Sequence, residues 1–463
     1  MHGFRWNDPR FVLSLVLGVM ARDARAENLR DAWTIALGTN AQLQASRQTS
    51  AAASQELASS RSARLPQIQT LNAQAFLSNP VSVPSSSGQP KAASGGQDLF
   101  TISAVAAIVP IYTGGRIRNT VASNRAQLNA SRADEATTAL DLKLEVARAY
   151  VDVLRANRGV AVAESNVVSL TAQARDVANL VTQGRGIRND LLAAQVARAN
   201  AQQRNIQARN RLSVAWATYN RYLCRSMDTV VPLEELAQEA PPQEAPPQEA
   251  LPPRSGDAAD TAMLMQDAEP IVVDEAQIQT MVLYAMKNRP ELASLAEQAR
   301  SIRAQAAAER ANTRPQVSFL AANLYQNARF LPTEADSGAA AFVLNWTLFD
   351  GGKSRHHAMA LEERAASSIS RQYDLAAGIK LQVRSAWLTC QENQRRIPLT
   401  RAAIVQAEEN LRVARSRYLQ QRGTNTEVLD AETARIQSYD NYYSALYDAI
   451  QADFELRRAV GDI

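Results

Sequence analysis

Two cysteines and three histidines in 463 residues are too few for a disulfide framework or a histidine–cysteine metal cluster. The chain has no Walker-type glycine turn, no nucleophile–base constellation and no metal-ligand spacing, so no cofactor, resident metal or catalytic residue is expected. Charge of one sign is lacking too: 50 Lys and Arg stand against 46 Asp and Glu, a net +4. That balance gives no footprint for a nucleic-acid partner. Long hydrophobic runs are missing, since none approaches the roughly 20 residues that a membrane-spanning helix needs. These absences exclude an enzyme built on familiar chemistry and a helical membrane protein.

The most apolar stretch lies at the start. Arg5 and Arg10 precede the run Phe11 to Ala21, and Ala24-Arg25-Ala26 fits a small-residue cleavage pattern ahead of Glu27. Residues 1–26 therefore read as an export signal; the rival reading is a buried or interfacial helix. No cysteine follows the apolar core, so no lipid anchor is expected. Removing four arginines and two aspartates with this segment takes the net charge from +4 to +2. Export without a membrane helix leaves the periplasm, the outer membrane or the exterior as destinations.

What is present is a long duplication. Leu65-Pro66-Gln67-Ile68 returns as Arg314-Pro315-Gln316-Val317, and Ile111-Tyr112-Thr113-Gly114-Gly115-Arg116 as Leu348-Phe349-Asp350-Gly351-Gly352-Lys353. Gly184-Arg185-Gly186 followed by Asp190-Leu191-Leu192 returns as Gln421-Arg422-Gly423 followed by Glu427-Val428-Leu429. The first copy carries a longer insertion between Pro66 and Gly114. Each copy is far longer than a solenoid repeat. The chain divides into the signal at 1–26, a first repeat at 27–230, a linker at 231–270 and a second repeat at 271–463. The linker repeats Gln-Glu-Ala-Pro-Pro from Gln238 onward and reads as an extended spacer.

Each copy opens on a helical pattern, Leu29 to Arg64 and Asp274 to Thr313, which Pro66 and Pro315 stop. The period then changes to two. Phe100, Ile102, Ala104, Ala106 and Ile108 alternate with Thr101, Ser103 and Val105; Phe342, Leu344, Trp346 and Leu348 alternate with Val343, Asn345 and Thr347. That is the strand signature. With Gln67 to Leu77 and Gln316 to Gln326 as partners, the chain holds two strand hairpins, at about 67–112 and 315–349. Their connections are Ser78 to Gln97 and Leu331 to Gly338. Four strands leave open edges and uncovered apolar side chains. Either the sheet packs on helices, or it is a piece of a membrane barrel wall, which needs at least about eight strands and hence several copies.

After each glycine pair runs a helical stretch of about 60 residues, Thr120 to Thr182 and Arg355 to Gln420, or roughly 90 Å at about 1.5 Å per residue. Each turns at a short glycine-containing segment and returns through Asp190 to Tyr222 or Glu427 to Ala459. The pattern predicts long antiparallel helical hairpins, about 120–222 and 355–459, with coiled-coil-like seams.

Pro110-Ile-Tyr-Thr-Gly-Gly-Arg116, Trp346-Thr-Leu-Phe-Asp-Gly-Gly-Lys353, Gly423-Thr-Asn-Thr-Glu-Val-Leu-Asp-Ala431 and Asn441-Tyr442 with Ala445-Leu446-Tyr447 and Gly461 resemble the TolC-like outer-membrane efflux proteins. The likeness runs through residues 27–463, in both copies and in order. It implies a mainly α fold with a transmembrane β part: a homotrimer whose twelve strands close one barrel in outer-membrane lipid, continued by a periplasmic α-helical barrel. It also implies a passive exit duct of a tripartite efflux or type I secretion system, fed by an inner-membrane transporter through a periplasmic adaptor (membrane fusion) protein. The alternative is a periplasmic coiled-coil adaptor or scaffold without a pore, although paired strands and two hairpins are not expected of one.

Carried over by motif, Glu427 and Asp430 match acidic residues that ring the pore constriction; solvent-facing charges at a helix start are the other reading. Asp190 and Tyr418 match a gate latch. A further latch position, often arginine, falls on Gly423, with Arg422 one place off, and the usual turn glycine of the second copy is Gln421. Gly184, Arg185, Gly186, Ile187, Arg422, Gly423 and Thr424 fall at the tips expected to meet the adaptor. His356-His357 reads as a solvated pair. Cys224 and Cys390 can pair only if the fold joins them. Trp346, Tyr112 and Phe349 suit either an interfacial belt or a packed strand–helix joint.

Overall fold

The computed structural model describes residues 26–77, 98–236, 274–328 and 335–463. Residues 1–25 of the export signal, the Ser78 to Gln97 connection, residues 331–334 of the Leu331 to Gly338 connection and the proline-rich repeats lie outside the described residues. In order, the elements are α1 (Leu29–Thr39), α2 (Ala41–Ser62), β1 (Gln67–Leu77), β2 (Asp98–Tyr112), α3 (Arg116–Thr182), α4 (Arg188–Tyr222), α5 (Glu275–Asn288), α6 (Pro290–Arg310), β3 (Gln316–Ala328), β4 (Ala335–Asn345), α7 (Lys353–Leu419) and α8 (Asn425–Val460). Both copies thus run helix, helix, strand, strand, long helix, returning helix.

The opening helix of each copy, expected to be single, is broken in two. Asn40 leaves helical geometry at ψ 125°, and its Oδ1 accepts the backbone N–H groups of Gln42 at 3.0 Å and Leu43 at 3.2 Å, restarting the chain as α2. In the second copy Arg289 turns extended at ψ 119°, as a residue ahead of a proline is driven to do. The two long helices are single 67-residue elements, and α7 carries Pro398 in its interior without ending there.

The described residues form two compact units, each drawing on both copies. One holds those through residue 44 with 138–289 and 378–463; the other holds 45–137 and 290–377. In the first unit Leu43, Val146, Tyr150, Val151, Tyr219, Tyr447 and Phe454 bury against one another. Tyr150 Oη donates to the carbonyls of Glu27 at 2.9 Å and Glu234 at 2.6 Å. The buried Glu27 carboxylate accepts Tyr219 Oη at 2.6 Å and pairs with Arg225 at 2.7 Å. Cys390 is buried and Cys224 exposed, both as free thiols.

The second unit is built from small residues. Ala53, Leu57, Val121 and Leu128 pack together, as do Ala306, Ala358 and Leu361, and the buried hydroxyls of Ser123 and Ser301 meet at 3.0 Å. Its four strands make one antiparallel sheet in the order β1-β2-β3-β4. The two copies therefore join through β2 and β3, while β1 and β4 are left as edges. Opposed residues of antiparallel strands share a face. Ala104 lies beside Leu71 and Leu324, whereas Val109 lies beside Phe319, which lies beside Phe342. The apolar runs read in β2 and β4 consequently fall on opposite faces, because the register between strands sets which parity points which way. None of the described side chains in the four strands is buried, so both faces are uncovered in this chain.

The second hairpin ends at Asn345, short of Trp346 and Leu348, which were read as strand. Trp346 Nε1 donates to the carbonyl of Thr313 at 3.2 Å, so this ring joins the strand end to the helix end while staying half exposed; Tyr112 and Phe349 are also exposed. His356 and His357 are exposed, with His357 Nδ1 3.5 Å from Glu309.

Candidate functional site

The functional residues expected from sequence gather where the two long helices turn back, at α3–α4 and α7–α8. The turns share one backbone design. Gly184 N–H and Arg185 N–H donate to the carbonyls of Val181 and Leu180 at 3.0 and 2.9 Å; Gln421 N–H and Arg422 N–H donate to those of Tyr418 and Arg417 at 2.9 and 2.8 Å. This paired bonding closes a helix through one left-handed residue. Gly184 supplies it at φ +71°, and Gln421 supplies it at φ +58° at the usual steric cost of a side chain there. Two residues on, Gly186 is needed for another reason: a Cβ would stand 2.9 Å from the Val181 nitrogen. At the matching Gly423 a Cβ would meet Glu427 Oε2 at 3.0 Å and Arg417 Cβ at 3.2 Å.

Behind the turns, Ala174, Val177, Ala194, Leu411, Ala414, Tyr418, Val428 and Ala431 form one buried cluster, so the ends of all four helices are packed together. Polar ties cross between the hairpins at each level. Gln421 Nε2 donates to the Arg185 carbonyl at 3.2 Å. Tyr418 Oη donates to Asp190 Oδ2 at 3.4 Å. Burial, followed by the neighbouring Asp190 charge, raises the Tyr418 pKa above its ordinary value. The buried Asn425 accepts Gln173 Nε2 at 3.0 Å and donates to the Asp190 carbonyl at 3.2 Å.

Glu427 and Asp430 lie three residues apart on one exposed face of α8, whose other face carries Val428 and Ala431 inward. The α8 start is capped by Thr424, whose Oγ1 accepts Glu427 N–H at 3.3 Å. Glu427 also faces Arg417 Nη1 at 3.6 Å, while Asp430 has no ion-pair partner among the described residues. Arg185, Ile187, Arg422 and Thr424 are exposed at the tips, with Gly184, and Gly186 and Gly423 are half-buried. Within one chain the structure brings Asp190 to Tyr418 and places Glu427 and Asp430 side by side on the outer face of α8.

A set of residues not picked out from sequence completes the site. Glu432, at 2 % exposure, accepts Ser169 Oγ at 2.7 Å and Arg435 Nη2 at 2.8 Å, and lies 3.6 Å from Arg415 Nη2. Its signal was there: Val428, Glu432 and Ile436 fall at helical spacing on the buried stripe of α8, and a carboxylate on such a stripe must find partners. Among the described residues no helix is long and apolar enough to cross a membrane, and no group of His, Cys, Asp or Glu is placed to hold a metal ion.

The Outer membrane efflux protein family matches at residues 34–223 and 284–462. No curated protein sequence matches. Among solved structures, the outer membrane protein VceC from Vibrio cholerae aligns at TM-score 0.74 and 16% identity, over 94% of this chain and 96% of that one. The Campylobacter jejuni CmeC outer membrane channel aligns at 0.75 and 12%, over 94% and 86%. The open state of the Neisseria gonorrhoeae MtrE outer membrane channel aligns at 0.68 and 16%, over 94% and 89%. These structures share the fold of this chain. With its two copies accounting for both matched segments, the chain belongs to the outer membrane efflux protein family.

Proposed function

We propose that this protein is the outer-membrane exit duct of a tripartite efflux or type I secretion system, passive in itself and fed by an inner-membrane transporter through a periplasmic adaptor. The observation that carries the reading is the sheet. It has edges β1 and β4 free to pair, and described side chains that are unburied on both faces. An open sheet of this kind is a liability in water; joined edge to edge in three copies it becomes a closed twelve-stranded wall with one face to lipid and one to a lumen. The uncovered side chains then have a solvent, and the open edges support assembly with further copies, which we take to be a homotrimer. A pore-free adaptor leaves them unexplained.

In this arrangement the long helices continue the lumen into the periplasm and the two turns close its inner end. Glu427 and Asp430, unburied on one face of α8, contribute two carboxylates per subunit to a constriction that favours cations and repels anions. Asp190 and Tyr418 act as a latch between the hairpins. The tips Gly184 to Ile187 and Arg422 to Thr424 are the adaptor contacts. Gel electrophoresis of detergent-extracted protein tests the assembly: a compact band of three subunits that falls to monomer on heating supports it, and monomer in both lanes contradicts it.

A further inference from the structure

The Glu432 cluster lies one step behind the proposed gate and joins three helices. Ser169 belongs to α3, Arg415 to α7, and Glu432 and Arg435 to α8. Arg415 Nη2 also donates to Ser169 Oγ, and Arg435 approaches Ser165 Oγ at 3.4 Å. At about 100° per residue, Glu432 projects roughly 200° around α8 from Asp430, which is why one carboxylate is buried and the other exposed. A buried carboxylate between two guanidinium groups is stable only while both partners stay in place. The cluster therefore fixes the rotation of α8 about its own axis, and that rotation determines where Glu427 and Asp430 point.

We infer that Glu432, with Arg415 and Ser169, is the positioning lock of the gate. It holds the α7–α8 hairpin against α3 so that the exposed acids stay at the constriction, and opening requires this buried cluster to rearrange. The inference rests on the duct reading. Asp190 and Tyr418 tie the same seam nearer the turns by one contact of 3.4 Å, whereas the buried Glu432 carboxylate holds Ser169 at 2.7 Å and Arg435 at 2.8 Å, with Arg415 at 3.6 Å. The deeper cluster thus carries more of the resistance.

The test is single-channel conductance of the full-length detergent-extracted protein carrying Glu432→Gln, Arg415→Met, both together, or Ser169→Ala, each compared with wild type. Glu432→Gln keeps the shape and removes the charge. It should raise mean conductance by roughly threefold or more as the open population grows. Arg415→Met should do the same, and the double variant should resemble either single rather than their sum, because the residues act as one unit. A lost scaffold contact alone would lower trimer yield and leave the conductance of surviving trimers unchanged, so that result overturns the inference. If Glu432→Gln does not assemble, Ser169→Ala decides, since it removes one hydroxyl and no charge: raised conductance supports the lock, and wild-type conductance overturns it. Wild-type protein that carries no current overturns the duct reading and this inference together; wild-type currents unaltered in the variants overturn this inference alone.

Discussion

Tyr418 on α7 and Asp190 on α4 meet across the two helical hairpins, with Tyr418 Oη 3.4 Å from Asp190 Oδ2. The contact is long for a hydroxyl–carboxylate bond, so Tyr418→Phe is expected to cost only about 0.5–1.5 kcal/mol of stability while raising basal conductance. Alkaline pH tests the same bond. The folded-state pKa of Tyr418 is raised by burial and by the Asp190 charge. Its contribution is thus fully present below about pH 10 and lost as pH rises through the elevated folded value. Conductance measured against pH should climb in that range for wild type and stay flat for Tyr418→Phe.

The acidic face of α8 makes its own prediction. Glu427→Ala with Asp430→Ala should lower cation preference by about twofold or more and weaken block by divalent cations, as expected when charge is removed from a selectivity ring. Currents unchanged in selectivity and in block would take both residues out of the constriction.

Gly423 is expected to tolerate no bulk. A Cβ there already meets Glu427 Oε2 at 3.0 Å and Arg417 Cβ at 3.2 Å, so Gly423→Phe should part the Glu427–Arg417 pair and reshape the tip. Export should fall while trimers persist on gels. Normal export would remove Gly423 from the adaptor-contacting surface.

The glycine pairs after the strands separate two physical costs. Gly114 has φ +61°, and a Cβ would stand 2.6 Å from Arg314 Cβ; Gly351 has φ +68° with nothing within 4 Å. Gly351→Ala should cost about 1–2 kcal/mol of backbone strain alone. Gly114→Ala adds the clash and should lose markedly more folded protein. Thermal midpoints of the two variants measure the difference.

Both glycine pairs, the existence of four strands and both long helices were legible, because period two and period 3.6 are local properties of sequence. The fourth strand nevertheless begins at Ala335 and ends at Asn345, earlier at both ends than the alternation suggests. The breaks at Asn40 and Arg289 went unread: Pro290 carried the signal for the second, whereas an asparagine cap depends on how the chain turns. Register was not. Which face Ile108 shares with Leu320 rather than Phe319 is decided by strand pairing between distant segments, and alternation within one strand carries no such information. At the site, the turns followed from the repeated motifs, whereas the Asp190–Tyr418 pair came only from the family resemblance. Glu432 was missed because its partners Ser169 and Arg415 lie far away in sequence on other helices, although its place on the apolar stripe of α8 marked it as a charge in need of them.

The most direct measurement is planar-bilayer conductance of the purified, detergent-extracted protein, with and without millimolar divalent cations on each side. The account predicts small, cation-selective currents that divalent cations block from one side, the side of Glu427 and Asp430. A protein that stays soluble without detergent and carries no current would contradict it.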